Sequence, residues 1–464
     1  MYYIFAFFCI LLNNNLVFSF HTNFSKKNHY KNNCIGMNMN IKNFKNDELP
    51  LFTKVEPKDI VSNTNQLLEE LKKDFKSLEE EMKSEKKNYY DLAIYKREKI
   101  EEPLEFYWGL ISHLTSVKNN KELRDAHEKA MPEVIKISND ISQSKILYDC
   151  LIKSSKQRLN PIKKRILKKE IESMKLNGVN LDNDKKKEFL EISLRLSDLS
   201  NKFRNNVLDS IKDYKMIIKK DENMKKMPES ALELFSDKAK NEKMESTPKD
   251  GPWIITLDGP SLIPFMTYYP KSNKRKELFK ASITKASSGN LNNQELIIEI
   301  LELHQKLSEL LGYKNYVEIS LLQKMASEKK INKLLKNISK KSKIKGKEDY
   351  EEIKEHFKLK KLNLWDIAYY SEKLKQEKLD FDEEKLKPYL VFQNVLNGLF
   401  QLSEKLFNIK IEEVDVNKNN IDVWHPDVKY FKVFDTSDLN NEISSFYLDP
   451  YVRPGDKKGG AWMN

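Results

Sequence analysis

From Pro57 onward, apolar residues recur three and four places apart, which is the spacing of one face of an α-helix. Leu67, Leu71, Phe75, Leu78 and Met82 make one such stripe, with Lys and Glu filling the positions between. Phe189, Ile192, Leu196, Leu199, Phe203 and Val207 make a second, and Leu296, Ile300, Leu303, Leu307 and Leu310 a third. Gly312 follows the third stripe where a helix end favours a residue of positive φ. The same spacing predicts helices over 104–116, 121–150, 160–176, 327–344, 347–357, 366–378 and 394–407. Pro161 and Pro132 are placed at helix starts or breaks. All these stripes read as core-packing faces.

Two stretches predict strands instead. One is 253–258 followed by 262–269, divided by Gly259 and Pro260. The other is 428–434 followed by 443–449, divided by DTSDLNN, the pattern of a β-hairpin. The polar tract 240–251, with Pro248 and Gly251, is the best internal boundary.

The N-terminus has a different character. YYIFAFFCILL is an apolar run too short to span a bilayer comfortably, and it ends in three Asn. Val17 and Ser19 suit a cleavage site, although no positive residue precedes the run. From His21 to Asn46 there are 5 Lys, 8 Asn and no acid; Asp47 is the first acidic residue. Residues 1–20 therefore read as a signal-peptide-like segment and 21–48 as a basic transit-like leader. Together they predict entry by the secretory route and then a plastid of the apicoplast type. Plain secretion and a mitochondrial presequence are the alternatives.

Charge alters the picture less than its size implies. The chain of 464 residues carries 82 Lys and Arg against 70 Asp and Glu, a net charge of +12. Only eight of the basic residues are Arg, the side chain that reads phosphates and guanines bidentately. Lys mostly stands beside Glu or Asp, so no nucleic-acid partner is expected. Beyond the leader no run of about 18 apolar residues predicts a membrane span. Of the cysteines, Cys9 and Cys34 fall in the leader, which leaves Cys150 alone and gives neither a disulfide framework nor a Cys-based metal site.

Local motifs for chemistry are few. No two of the seven His stand three to five places apart, so no helical metal pair such as H-E-x-x-H exists. Nucleophile-elbow, P-loop and dinucleotide-binding glycine patterns are also missing. Three aromatic-rich stretches remain. Trp365-Asp366 opens a predicted helix, where Asp366 is expected to cap or favour the first turn. Trp424-His425-Pro426-Asp427 leads into the predicted hairpin, and His425 reads better as a structural partner than as a catalyst. The third runs from Phe446 to Met463 and contains Gly459, Gly460 and Ala461, which allow close approach of another backbone.

WDIAYYSEKLKQE, WHPDVKYF, FYLDPY and KKGGAWM, in that order, resemble the thimet oligopeptidase family of zinc metallopeptidases, and its oligopeptidase A branch in particular. ISHLTSVKNNKELRDAHEKAMP, EISLRLSDLSNKFRNNVLDS, MPESAL, LIPFMTYYP and LLGYKNYVEISLLQKMA continue the resemblance, which covers roughly 50–464. Pro450 and Pro454 depart from its usual pattern.

The resemblance implies a mainly α, two-lobed, zincin-like enzyme with a small β-hairpin or sheet near the C-terminus. Its N-terminal helical lobe would be 49–250, and 251–464 the first part of the catalytic domain. It implies a channel admitting short peptide substrates, a monomer when complete, and one zinc held by the two His of H-E-x-x-H and a later Glu. In the family that motif follows G-A-W-M, so its ligands are expected to lie beyond Asn464 and this chain to be inactive alone. A non-catalytic peptide-binding or scaffold protein derived from the family is the alternative. Gly459, Gly460 and Ala461 are expected on a strand edge bordering the channel, offering N–H and C=O groups to an extended peptide. A turn packing Trp462 into the core is the competing reading. Tyr447 and Arg453 are candidates for the same surface.

Overall fold

The computed structural model describes residues 49–84, 87–380, 383–453 and 455–458. In chain order the helices and strands are α1 (Pro57–Ser84), α2 (Arg97–Val117), α3 (Lys121–Ser142), α4 (Lys145–Ser155), α5 (Pro161–Leu176), α6 (Asn183–Asp213), β1 (Met216–Ile218), α7 (Glu229–Asn241), β2 (Trp253–Ile255), α8 (Gly259–Tyr268), α9 (Ser272–Ile283), α10 (Gln294–Leu310), α11 (Tyr316–Leu322), α12 (Glu328–His356), α13 (Ile367–Leu379), α14 (Phe392–Phe407), β3 (Ile409–Val414), β4 (Lys429–Asp435) and β5 (Asp438–Leu448). The protein is mainly helical, as its periodicity predicts. It divides into two compact units, one made of the chain up to Leu159 together with the chain from Phe392 onward, the other of Asn160–Val391. The polar tract 240–251 lies inside the second unit, as a connection between α7 and β2.

In the first unit the predicted α1 stripe is the core. Leu67, Leu71, Phe75, Leu78 and Met82 are all buried, and α1 packs against α2 and α3. The predicted helix over 121–150 is two helices. The first ends at Ser142, and Ser144 caps the second, its Oγ accepting from the Leu147 N–H at 3.1 Å. That hydroxyl also donates to Glu79 on α1 at 2.5 Å, which fixes the corner. Pro132 neither starts nor breaks α3 but sits inside it. The hairpin exists as β4 and β5, with Tyr430 opposite Tyr447 and Phe431 opposite Phe446. A third strand, β3, pairs with β4 from the other side, giving the order β3-β4-β5.

In the second unit the predicted strand 262–269 is corrected to a helix. Asp258, Gly259 and Pro260 start α8, since the fixed φ of Pro suits the first turn and its missing N–H costs nothing there. Phe265 and Tyr269, one turn apart, are both fully buried, so burial along the segment follows period 3.6 and not period 2. The companion segment is a strand, but β2 pairs with β1, Trp253 opposite Ile218 and Ile255 opposite Met216. The predicted helices 327–344 and 347–357 are one helix, α12, which runs through Gly346. α10 ends as expected. Gly312 has φ +82°; its N–H donates to the Glu309 carbonyl, and the Tyr313 N–H to that of Ser308, the bond pair that closes a helix end.

Candidate functional site

The described part of the site expected near the C-terminus is built on β5 and the segment that follows. β5 is an edge of its sheet, with β4 on one side only among the described residues. An edge strand presents a row of backbone donors and acceptors to which another chain can add. Beyond β5, Asp449 is the anchor. It accepts from both terminal nitrogens of Arg453 at 2.9 and 2.6 Å and from the Trp424 indole at 2.9 Å. Lys457 lies 3.1 Å from the same carboxylate and donates to the Asp449 and Tyr451 carbonyls. Burial would raise the Asp449 carboxyl, but these donors outweigh it and hold it down at about 2.

This network ties the segment to α2. The Asn119 N–H donates to the Asp456 carbonyl at 2.7 Å, and the Lys458 N–H to the Ser116 carbonyl at 2.8 Å. Residues 456–458 therefore run beside the C-terminal end of α2, bonded through the main chain. Behind them is an aromatic cluster. Trp424 meets His113 edge-on at 4.3 Å between centroids and Phe52 at 4.8 Å, and Tyr447 stands 5.5 Å from Phe52 and 4.9 Å from Tyr430. Thr53 fastens the start of the described chain here, donating through N–H and Oγ1 to Asp422. Burial pushes the His113 imidazole down to about 4.

Of the five residues singled out in the sequence, Gly459, Gly460 and Ala461 lie outside the described residues. Arg453 is committed to Asp449. Tyr447 packs its ring in the aromatic cluster, and its hydroxyl, buried, has no hydrogen-bond partner among the described residues. Burial raises that hydroxyl's pKa, with Tyr430 and Asp422 adding to the effect. His425 makes a local contact, its Nδ1 accepting from the Asp427 N–H at 3.2 Å. Asp449, within FYLDPY, has no role that the sequence alone assigns; a basic residue four places on, Arg453, is the signal that could have marked it.

In the second unit Asp366 is corrected. It makes no side-chain cap to α13. It is buried and paired with Arg275, whose side chain is 1% exposed. Arg275 also donates to the Tyr269, Pro270 and Trp365 carbonyls, and its guanidinium lies 4.2 Å from the Tyr369 ring centroid. The pair thus joins α8, α9 and the start of α13.

A zinc site needs three convergent ligands with an open position. No cluster of three or more His, Cys, Asp or Glu able to hold a metal occurs among the described residues. The described His have other contacts: His127 stacks on Trp108, His304 on Tyr316, and His356 bonds to Glu377. The described residues alone do not fit a catalytic zinc.

Comparison with known proteins assigns both ends of this description. Residues 64–186 match the neurolysin/thimet oligopeptidase N-terminal domain, and residues 265–464 match peptidase family M3. The chain belongs to peptidase family M3. It is 36% identical over 428 residues to the organellar oligopeptidase A, chloroplastic/mitochondrial, of Arabidopsis thaliana, a match covering 90% of this chain and 53% of that one. The probable cytosolic oligopeptidase A of the same plant is 35% identical over 430 residues, covering 90% and 60%. Oligopeptidase A of Escherichia coli K12 is 32% identical over 432 residues, covering 90% and 61%. The chain thus spans from about half to three fifths of the length of these relatives. WDIAYY and FYLDPY, which carry the Asp366 and Asp449 anchors, both lie within the matched M3 region.

Proposed function

We propose that this chain serves a zinc-dependent oligopeptidase that hydrolyses short peptides. The observation that carries the reading is the match to oligopeptidase A along 90% of the chain. The β5 edge, held in place by the Asp449 network, is consistent with an extended peptide adding to it, and 459–461 would continue that surface. Zinc would supply a polarised water at neutral pH, and its H-E-x-x-H ligands are proposed to lie outside these 464 residues. The chain alone is then expected to hold no stoichiometric zinc and to leave peptides uncut. We also propose an organellar destination, reached through the leader, with a plastid favoured over a mitochondrion. The acid-free first 46 residues support it.

A second reading, a non-catalytic peptide-binding protein, is favoured by one observation. Among the described residues no three or more His, Cys, Asp or Glu form a group able to hold a metal. Quenched fluorescent peptides of increasing length, incubated with the chain with and without zinc, decide between the readings. Peptide binding with no cleavage by the chain alone, and cleavage once a segment carrying H-E-x-x-H and its later Glu is appended, supports the enzyme. Binding that the appended segment leaves uncut supports the second reading. Chelator-sensitive cleavage by the chain alone would show that the metal site is misplaced here, and loss of peptide binding in every form would refute the β5 surface.

A further inference from the structure

The last four carbonyls of a helix have no partner within it. At the end of α2 two of them are satisfied locally. The Leu114 carbonyl accepts from the Lys118 N–H, and that of Thr115 from the Asn119 side chain at 2.7 Å. The other two are satisfied from far along the chain. The Ser116 carbonyl accepts from the Lys458 N–H at 2.8 Å, and that of Val117 from Arg453 at 3.4 Å, across 336 residues of sequence. Residues 453 and 458 thus cap α2, and a cationic cap suits the negative end of the helix dipole. The contact joins the two matched regions, since α2 lies in the N-terminal-domain match and 453–458 in the M3 match.

The capping segment is knotted before it reaches α2. Arg453 already fills both oxygens of Asp449, at 2.9 and 2.6 Å. Lys457 is a second cation for that one carboxylate, and its side chain is only 12% exposed. Burying an extra cation costs stability, so a fold that needed only filled space would do as well with an apolar residue there. What Lys457 adds is direction. Its ammonium donates to the Asp449 carbonyl at 2.8 Å and to the Tyr451 carbonyl at 3.0 Å, so the main chain leaving β5 curls round it. β5 ends at Leu448, and the chain is delivered to α2. Lys458, fixed there through its N–H, immediately precedes Gly459, Gly460 and Ala461.

We propose that Lys457 and Arg453 are positioning residues for peptide binding. Through Asp449 and the end of α2 they fix the path of the chain after β5, and with it the register in which that chain meets an extended peptide. This role rests on the β5 reading proposed above. It adds that a helix end of the N-terminal domain sets the geometry of the peptide surface. A peptide binds more tightly to a segment that is already ordered, because ordering on binding subtracts from affinity. The partners in the knot all lie within the described residues, so no further chain is needed to complete it.

The test compares the parent with Lys457→Met and Arg453→Lys. Lys457→Met keeps an unbranched apolar stem and removes the charge. Arg453→Lys keeps the charge and removes the fork that reaches Asp449 and Val117 together. Two quantities are read on the full chain: amide hydrogen exchange at Lys458, and affinity for a fluorescent short peptide by anisotropy. In Lys457→Met, exchange at Lys458 should quicken by about tenfold or more, the loss of hydrogen bonds from a charged donor. Peptide affinity should fall by about tenfold, the cost of ordering one or two residues on binding. Arg453→Lys should move both quantities the same way by less, and it carries the test if Lys457→Met does not fold. Ser144→Ala, which removes a cap elsewhere in the same unit, should lower the unfolding temperature and leave peptide affinity unchanged. Faster exchange at Lys458 with unchanged affinity would make the knot a structural cap only and overturn the proposal, while the β5 reading stands. Unchanged exchange, or an equal loss of affinity in Ser144→Ala, would overturn it too. A parent that binds no peptide would refute the β5 reading itself, and the positioning role with it.

Discussion

Replacing Asp366 by Asn separates the two roles that residue has been given, because they predict different costs. As a helix cap, Asn is about as good as Asp, and the change would cost within about 0.5 kcal/mol. The structure instead makes Asp366 the counter-charge of a guanidinium that is 1% exposed. Its Oδ1 accepts from Arg275 Nη2 and from Ser272 Oγ at 2.7 Å, and its Oδ2 from Asn363 at 3.1 Å. Asp366→Asn keeps the shape and removes the charge. It leaves a buried cation balanced only by carbonyl dipoles and the Tyr369 ring. Removing one partner of a buried pair costs about 3–5 kcal/mol. Arg275→Met should cost a similar amount, since it strands the carboxylate and three carbonyls. The double change Arg275→Met/Asp366→Leu should cost clearly less than the two singles summed, with a coupling of about 1–3 kcal/mol. The assay is urea unfolding followed by tryptophan fluorescence, for Trp365 and Trp253 both lie in this unit. A loss below about 0.5 kcal/mol for Asp366→Asn, or additive single costs in the double variant, would refute the buried-pair argument.

Three further outcomes are expected. Gly312→Ala should lower stability by about 1–2 kcal/mol from backbone strain alone, because φ is +82° and no heavy atom lies within 4 Å of the added Cβ; thermal unfolding measures it. His113 is held neutral, its pKa lowered to about 4, while in the unfolded chain it is about 6.5. Its contribution to stability is therefore complete above the unfolded pKa and lost as pH falls through that window to the folded one. Denaturant midpoints should fall over that range, and His113→Phe, which keeps a ring against Trp424, should flatten the fall; an unchanged slope would show that other groups cause it. Residues 1–46 fused to a fluorescent protein should leave the cytosol, and a diffuse cytosolic signal would refute the leader.

What the sequence determined by itself is the helical class, the main packing stripe of α1, the closing turn after α10 and the hairpin of β4 and β5. These are local matters. A stripe of period 3.6 must bury its face, and a glycine at a helix end satisfies the last carbonyls whatever surrounds it. The ordered motifs added the family, since such a series carries more information than any periodicity. The tertiary structure decided the rest. Whether 262–269 became a strand or a helix depended on a partner. Its apolar run fits both periods, and β2 found its pairing in β1, more than thirty residues earlier in the chain. Whether Asp366 capped a helix or neutralised Arg275 depended on a contact ninety-one residues away. Asp449 became an anchor only because Trp424, Arg453 and Lys457 converge on it. Long-range pairing and burial belong to the folded chain, and a carboxylate's role follows from which charges burial brings beside it.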